Sequence, residues 1–152
     1  MDMQKYADIA NYIDAISLGV LGTIDDDGTP HGAVVYVCTD EKKSIVYFIT
    51  KTGTRKYKNL VARPAVSLTM LDGEDNSTLQ AKDQARVERD AAILDKVIIR
   101  IVRAHTRSID LLPPISKLRA GDYVTVAIEI TEARLGRFKG KSIGDPGIFT
   151  EA

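Results

Sequence analysis

Short β-type runs separated by turn signals recur along the chain, and they restrict the folds that it can adopt. Six such runs can be counted, and after the sixth the chain continues through Arg134 to Phe138. Six or seven short strands with few helices predict a mainly β protein, an antiparallel barrel with flanking helices in one domain spanning residues 1–152. The runs are Val20 to Asp25, His31 to Thr39, Ser44 to Thr50, Ala65 to Leu71, Leu79 to Glu88 and Val124 to Ile130.

The segments outside these runs predict helices and loops. Residues 3 to 17 carry apolar side chains at helical spacing, and a second helix is expected to begin at Thr54. Residues 105 to 121 predict an irregular crossing segment, and residues 139–152 predict a loose tail. Asp90 is expected to cap a third helix, whose apolar side carries Leu94, Val97, Ile98, Ile101 and Val102.

Charge and cysteine content narrow the functional classes. The chain has 21 basic and 21 acidic residues, so neither nucleic acid nor an anionic membrane is indicated as a partner. Cys38 is the only cysteine and lies in an apolar run, which predicts a buried, inert thiol in a reducing compartment. The N-terminus lacks the features of a signal peptide, so we expect a cytoplasmic protein. His31 and His105 match no standard metal-ligand spacing, and no metal site is expected.

Basic charge is concentrated in one stretch. A β-type run ending at Thr50 crosses the short loop Lys51 to Gly53 and enters a helix-like segment at Thr54. A helix N-terminus carries unpaired N–H groups, while Arg55 adds a planar fork and Lys56 a point charge. This arrangement predicts a site for an anion, most naturally a phosphate. A structural alternative stays open at this point, in which Thr54 only caps a helix and the cations form a solvated face.

The order of these motifs resembles the pyridoxamine 5'-phosphate oxidase-like flavoproteins, whose fold is the FMN-binding split β-barrel of Greek-key type. The resemblance covers residues 3 to 138 and is sharpest from Ile45 to Met70. In that part, an aromatic-rich strand ends in Thr50, Thr54-Arg55-Lys56 follows, and Asn59-Leu60 precedes a strand that begins after Arg63-Pro64.

The resemblance implies that the chain binds FMN. Arg55, Lys56 and Thr50 would then hold the FMN phosphate, with Ile49, Lys51 and Thr54 beside them. A floor for the isoalloxazine ring would come from Gly32, Ala33, Val34, Val35, Tyr36 and Val37. Thr78 and Phe138 match positions that the partner subunit of the family's homodimer places near the flavin.

Departures from the family pattern are informative as well. The vitamin B6 enzymes carry basic residues at the positions of Gly32 and Val37, and their C-terminal Arg-Leu-His-Asp-Arg block is absent here. Asp83 replaces a glycine common in relatives and falls on an apolar face, so we expect it near a site or an interface. The chain therefore resembles the general stress protein-like members more than a true pyridoxamine phosphate oxidase.

The sequence leads to several functional hypotheses. The first is a homodimeric FMN-dependent oxidoreductase acting on an unidentified small molecule, with no side chain recognisable as a general acid or base. Another is a flavin-binding stress or redox-sensing module without turnover. A further hypothesis keeps the fold but replaces FMN by deazaflavin F420 or haem.

Overall fold

A computed structural model of the protein describes residues 3–40, 42, 44–105, 117 and 119–152. Strands and short turns dominate it, and helices stand at the beginning, in the middle and before the sixth strand. The elements are α1 (Met3–Ile16), β1 (Leu18–Ile24), β2 (Pro30–Thr39), β3 (Ile45–Lys51), α2 (Arg55–Ala62), β4 (Ala65–Leu71), β5 (Thr78–Glu88), α3 (Ala91–His105), β6 (Tyr123–Glu129), β7 (Glu132–Gly136) and β8 (Phe149–Glu151).

Six strands close into an antiparallel barrel, as the sequence predicts. They follow the order β4-β1-β2-β3-β6-β5, and pairing of β4 with β5 closes the ring. Strand β5 is long enough to pair with three strands. Its first half pairs with β4 on one side and β7 on the other, and its second half pairs with β6. Strands β7 and β8 extend the sheet beyond the ring.

The end of the chain differs from the predicted loose tail. Within residues 139–152, Phe149–Glu151 forms β8, and Ala152 exchanges two backbone hydrogen bonds with Ala133, at 2.9 and 3.0 Å. The ring of Phe149 packs edge-on against Phe138, with 5.8 Å between the centroids. No apolar alternation marks so short a strand, which explains why the sequence pattern missed it.

The barrel interior is filled by alternate side chains of the strands, as the period of two requires. Burial of these apolar side chains is the main driving force for the fold. Fully buried members include Leu21, Val46, Phe48, Leu79 and Val126. Helix α1, which follows the predicted helical spacing, adds Tyr6, Ile9, Ala10 and Ile13 to this core. It also adds Tyr12, whose hydroxyl donates to the Ser77 carbonyl at 2.9 Å.

Helix α3 packs on the outside of the barrel. Asp90 caps it as predicted, since its carboxylate accepts from the Ala92 backbone N–H at 2.9 Å. Val97 and Ile101 are buried against Cys38, Tyr47 and Ala127, with Ile93 partly buried beside them. The predicted Val97 and Ile101 are thus confirmed as the packing face, whereas Leu94, Ile98 and Val102 are only half-buried. Cys38 is buried, as expected. Most of the predicted crossing segment, 106–116 and 118, lies outside the described residues, and so does the side chain of His105.

The barrel is split between β2 and β3. Strand β2 pairs with β1 from Pro30 to Tyr36, but with β3 only from Val37 to Thr39. Beyond the pair Val37–Phe48, the other edge of β2 has no neighbouring strand within the described part of the chain. A cleft therefore opens between the first half of β2 and the end of β3, and α2 begins at the end of β3.

Candidate functional site

Hydroxyl groups fix the turn that joins β3 to α2. Thr54 caps the helix with extended backbone angles (φ −81°, ψ 154°), and its hydroxyl oxygen accepts from the Tyr57 N–H at 3.4 Å. The same hydroxyl donates to the Lys51 carbonyl at 2.8 Å and lies 2.8 Å from Oγ1 of the buried Thr50. Thr50 and Thr54 therefore share one corner, where the first N–H groups of α2 lack helical partners.

Lys56 is a half-buried cation on the first turn of α2. No ion pair or hydrogen bond joins its ammonium to any described residue. Burial lowers the pKa of Lys56, because the ammonium loses hydration that no carboxylate replaces. A partly desolvated, unpaired cation at a helix N-terminus favours a bound anion.

Arg55 adds a second cation on the same turn of α2. Its side chain is 65% exposed, and its Nε lies 3.5 Å from Asp25 Oδ1. Within the described residues, its terminal amino groups donate no hydrogen bond. The guanidinium therefore keeps the two donors that suit bidentate recognition of a phosphate.

The loop before Thr54 is clamped to the segment that enters β6. The Gly53 N–H donates to the Ala120 carbonyl at 2.5 Å, and the Thr52 hydroxyl accepts from the Asp122 N–H at 3.2 Å. A Cβ on Gly53 would lie 2.6 Å from that carbonyl oxygen, so the close approach requires glycine. Lys51 is engaged elsewhere, because its ammonium lies 4.6 Å from the centroid of the Tyr123 ring.

Strand β2 presents different groups to its two faces and its open edge. Val35 and Val37 point into the barrel core, whereas Val34 points outward and is 61% exposed. By the same alternation Ala33 lies on the inner face, and Gly32 and Tyr36 lie on the outer face. The open edge carries backbone N–H and C=O groups that pair with no other strand within the described residues. A ligand in the cleft would therefore meet this edge and the side chains of Val34 and Tyr36, but not those of Val35 and Val37.

Two predicted residues lie at the far end of the barrel from this turn. Thr78 pairs with Leu71 and Gly136, at the end of β4. Arg55 contacts Asp25, which directly follows the last residue of β1. Because β1 and β4 are antiparallel, this end of β1 lies beside the start of β4, whereas Thr78 lies beside the end of β4. A seven-residue strand separates these ends by about 20 Å. Phe138, 39% exposed, follows β7 beside Thr78. Within one chain, Thr78 and Phe138 therefore do not join Thr50, Arg55 and Lys56.

The structure adds a polar network that sequence reasoning missed. The Asn59 amide is buried and donates to Asp25 Oδ1 at 2.7 Å and to Thr23 Oγ1 at 3.1 Å. Arg63 donates through Nε to the Ile24 carbonyl at 2.8 Å. In the sequence, Asp25 only marks a turn, and Asn59 is a motif residue without an assigned role. No local signal shows that residues 34 positions apart meet.

Two other buried polar atoms lack partners among the described residues. They are His31 Nδ1, at the start of β2, and Thr125 Oγ1, on β6 opposite Ile49. Thr125 and Ile49 share the outer face of the β3–β6 pair, toward α3. His31 lies half-buried on the inner face of β2.

Asp83 lies at the rim of a separate cavity of about 480 Å³. Its carboxylate accepts hydrogen bonds from the Thr131 N–H at 2.9 Å, from the Thr131 hydroxyl and from the Gln84 N–H at 2.7 Å. Desolvation by itself would raise the pKa of Asp83, but these hydrogen bonds outweigh it and lower the pKa. The residue thus occupies a partnered rim position, away from the β3–α2 turn.

Comparison with known proteins identifies the family. The family model of pyridoxamine 5'-phosphate oxidase matches residues 7–135. The chain belongs to this family. Among curated proteins, mitochondrial escape protein 2 of Scheffersomyces stipitis is 27% identical over 122 residues, 79% of this chain. The chain spans only 13% of the length of that relative.

Solved structures share the fold of this family member. A conserved hypothetical protein of Mycobacterium tuberculosis superposes with a TM-score of 0.71 at 21% identity, covering 92% of each chain. A pyridoxamine 5'-phosphate oxidase-related, FMN-binding protein of Nostoc punctiforme gives 0.64 at 11% identity, covering 93% of this chain and 86% of its own. These identities establish likeness of fold.

Other similar structures differ in what their names say they bind. An F420 reductase gives a TM-score of 0.59 at 22% identity and covers 78% of this chain and 89% of its own. The haem storage protein HutZ of Vibrio cholerae gives 0.61 at 19% identity, covering 82% and 88%. The fold thus occurs in proteins named for FMN, F420 and haem.

No helix within the described residues has the length and apolar character needed to cross a membrane.

Proposed function

We propose that the protein binds FMN at the split between β2 and β3 and works as a flavin-dependent oxidoreductase. The observation that carries the proposal is Lys56, a half-buried ammonium without a partner among the described residues, on the first turn of a helix. Family membership supplies the cofactor class, since the related Nostoc protein is described as FMN-binding.

The residues at the turn fit the phosphate end of FMN. Lys56 supplies a point charge and the terminal amino groups of Arg55 supply a fork, while the hydroxyls of Thr50 and Thr54 bond to each other and hold the turn in place. The first N–H groups of α2 add partial positive charge. Flavin, when bound, supplies hydride or electron transfer, and the chain's task is to bind it and orient it.

The floor of the ring site would be the open edge of β2. Backbone groups from Gly32 to Tyr36 face the cleft, and Val34 and Tyr36 offer apolar contact. Ile49 ends the opposite wall, next to Thr50. Because Thr78 and Phe138 lie about 20 Å from Arg55 in one chain, we assign them to the flavin bound by a second subunit.

A homodimer accounts for an exposed apolar face. On the outer side of β1, β2 and β4, Leu18, Val20, Val34 and Leu71 are between 41% and 61% exposed. Adjacent exposed apolar side chains of this kind mark an interaction surface. The face adjoins the open edge of β2, so a second copy of the chain seated there would cover the cleft.

The reaction we propose is not that of the vitamin B6 enzyme. Gly32 has no side chain, and Val37 is enclosed in the core, so neither position offers the basic group expected of that enzyme. We propose a small-molecule substrate or electron donor of another class. The single buried Cys38 suits a cytoplasmic location.

The visible absorption spectrum of the purified protein tests the cofactor assignment. Bound FMN should give the two flavin bands and release FMN on denaturation. A deazaflavin or haem spectrum would change the assigned cofactor from FMN to deazaflavin or haem. Protein that stays colourless after incubation with FMN would overturn the proposal. Oxidation of reduced nicotinamide with added acceptors then separates an oxidoreductase from a flavin-binding module without turnover.

A further inference from the structure

Asn59 connects two elements that meet beside the phosphate site. It lies on α2, is 5% exposed, and its amide donates to Asp25 Oδ1 at 2.7 Å and to Thr23 Oγ1 at 3.1 Å. Asp25 is held independently in the β1–β2 turn, where its N–H donates to the Thr29 carbonyl at 2.8 Å. The backbone of Asp25 is therefore held by the turn, and its carboxylate is held by Asn59.

Asp25 also touches the guanidinium of Arg55. The Oδ1 atom that accepts from Asn59 lies 3.5 Å from Arg55 Nε, and the Asp25 side chain is only 20% exposed. Contact through Nε leaves the end of the planar group, where the two terminal amino groups lie next to each other, for another acceptor. The long Arg55 side chain, 65% exposed, is thereby given an orientation that its own packing does not provide.

We propose that Asp25 and Asn59 are positioning residues that orient Arg55 toward the FMN phosphate. The inference rests on the phosphate site proposed above and deepens it. Asn59 holds the carboxylate, the carboxylate holds Nε, and the terminal amino groups are presented as a fork. Preorganisation of this kind increases affinity because the side chain loses less freedom on binding.

If Asp25 acted only through its negative charge, its effect on FMN binding would be opposite to that of a positioning residue. A carboxylate near a phosphate repels it, so removing the negative charge should strengthen FMN binding. Positioning predicts weaker binding after the same substitution, because Arg55 loses its support. Asp25→Asn therefore separates the two effects by the sign of the change.

Asp26→Asn is a matched control in the same turn. Asp26 pairs with Arg63 Nη2 at 2.9 Å, and its side chain is 97% exposed. Within the described residues it forms no hydrogen bond or ion pair with Arg55. The substitution removes the same charge one residue away without loosening the guanidinium.

The experiment measures dissociation constants of FMN and of riboflavin, which lacks the phosphate, by flavin fluorescence. The readout is the ratio of the riboflavin constant to the FMN constant, which isolates the contribution of the phosphate. We expect Asp25→Asn and Asn59→Ala to lower this ratio about tenfold, the usual effect of a weakened charge-assisted hydrogen bond. Riboflavin affinity should stay at the wild-type value, and Asp26→Asn should leave the ratio within about twofold.

An unchanged or increased ratio in Asp25→Asn would overturn the positioning role, and so would an equal loss of FMN and riboflavin affinity. Asn59→Ala removes a buried donor, so its folding is checked by near-ultraviolet circular dichroism; if it does not fold, Asp25→Asn decides the question. Wild-type protein without preference for FMN over riboflavin would instead refute the phosphate site itself. The two failures are therefore distinguishable.

Discussion

Replacing Lys56 by Met should make the protein without flavin more stable and weaken its binding of FMN. The ammonium is half-buried without a partner among the described residues, and burial lowers its pKa. Methionine keeps an unbranched aliphatic side chain but removes the charge whose desolvation the fold has to offset. The substitution thus separates a cost to folding from a gain in binding.

The size of both effects can be worked out. Relief of an unfavourable charge commonly adds about 0.5–2 kcal/mol to the free energy of unfolding. For a chain of this length that corresponds to roughly 2–4 °C in Tm per kcal/mol. At FMN equal to 100 times the wild-type dissociation constant, binding stabilises by about 2.7 kcal/mol, and a tenfold weaker variant gains only about 1.4 kcal/mol.

The dependence on pH has a defined sign. The pKa of Lys56 is lower in the folded than in the unfolded protein, so the penalty is fully present below the folded pKa. It disappears as pH rises from the folded pKa towards the unfolded value of about 10.4. The stability advantage of Lys56→Met should therefore shrink as pH is raised from 7 to 10.

Thermal unfolding with and without FMN measures these effects. Lys58→Met is the control, because Lys58 is an exposed lysine two positions further on the same helix and should change stability by less than about 0.5 kcal/mol. The reasoning is refuted if Lys56→Met lowers the Tm of the protein without flavin, or if its FMN-induced shift equals that of the wild type.

Further predictions concern assembly, capping and acid stability. Leu71→Asp should convert the proposed dimer to a monomer, as measured by light scattering. Val61→Asp is the control, because Val61 is similarly exposed on α2 and its replacement should leave the mass unchanged. An unchanged mass for Leu71→Asp would contradict the proposed interface. Thr54→Ala should cost about 1 kcal/mol in denaturant unfolding, and Thr54→Ser should restore it; equal midpoints would exclude the capping role. Hydrogen bonds from Thr131 outweigh desolvation and lower the pKa of Asp83, so the stabilising effect of its carboxylate should be complete above about pH 4 and lost at lower pH. The stability of Asp83→Asn should therefore fall less steeply than that of the wild type as the pH is lowered. The same loss of stability in acid for both proteins would contradict this.

Much of the fold was predictable because local patterns carry it. Strand alternation, as at Val124, Val126 and Ile128, places side chains on one face whatever the tertiary context, and the structure buries Val126 and Ile128 in the core. Short turns then leave few ways to pair successive strands. The strand β8 was missed because its three residues pair with β7 without any alternation of their own.

The candidate site was only partly predictable, for a physical reason. Thr50, Thr54, Arg55 and Lys56 are close in sequence, and a strand followed by a helix brings them together. The support of Arg55 by Asp25 joins positions 25 and 55, which only the closed barrel brings into contact. Equally, alternation along β2 turns Val35 and Val37 away from the cleft, a distinction that a continuous apolar run does not reveal.

The central claim is that the corner formed by Thr50, Arg55 and Lys56 binds the phosphate of FMN. Its most direct test compares FMN and riboflavin affinity in the wild type and in the double variant Arg55→Ala/Lys56→Ala. We predict that the wild type prefers FMN by at least about a hundredfold, the effect of two charge-assisted contacts, and that the double variant loses this preference while keeping its riboflavin affinity. An undiminished preference in the double variant would place the phosphate elsewhere and contradict the account.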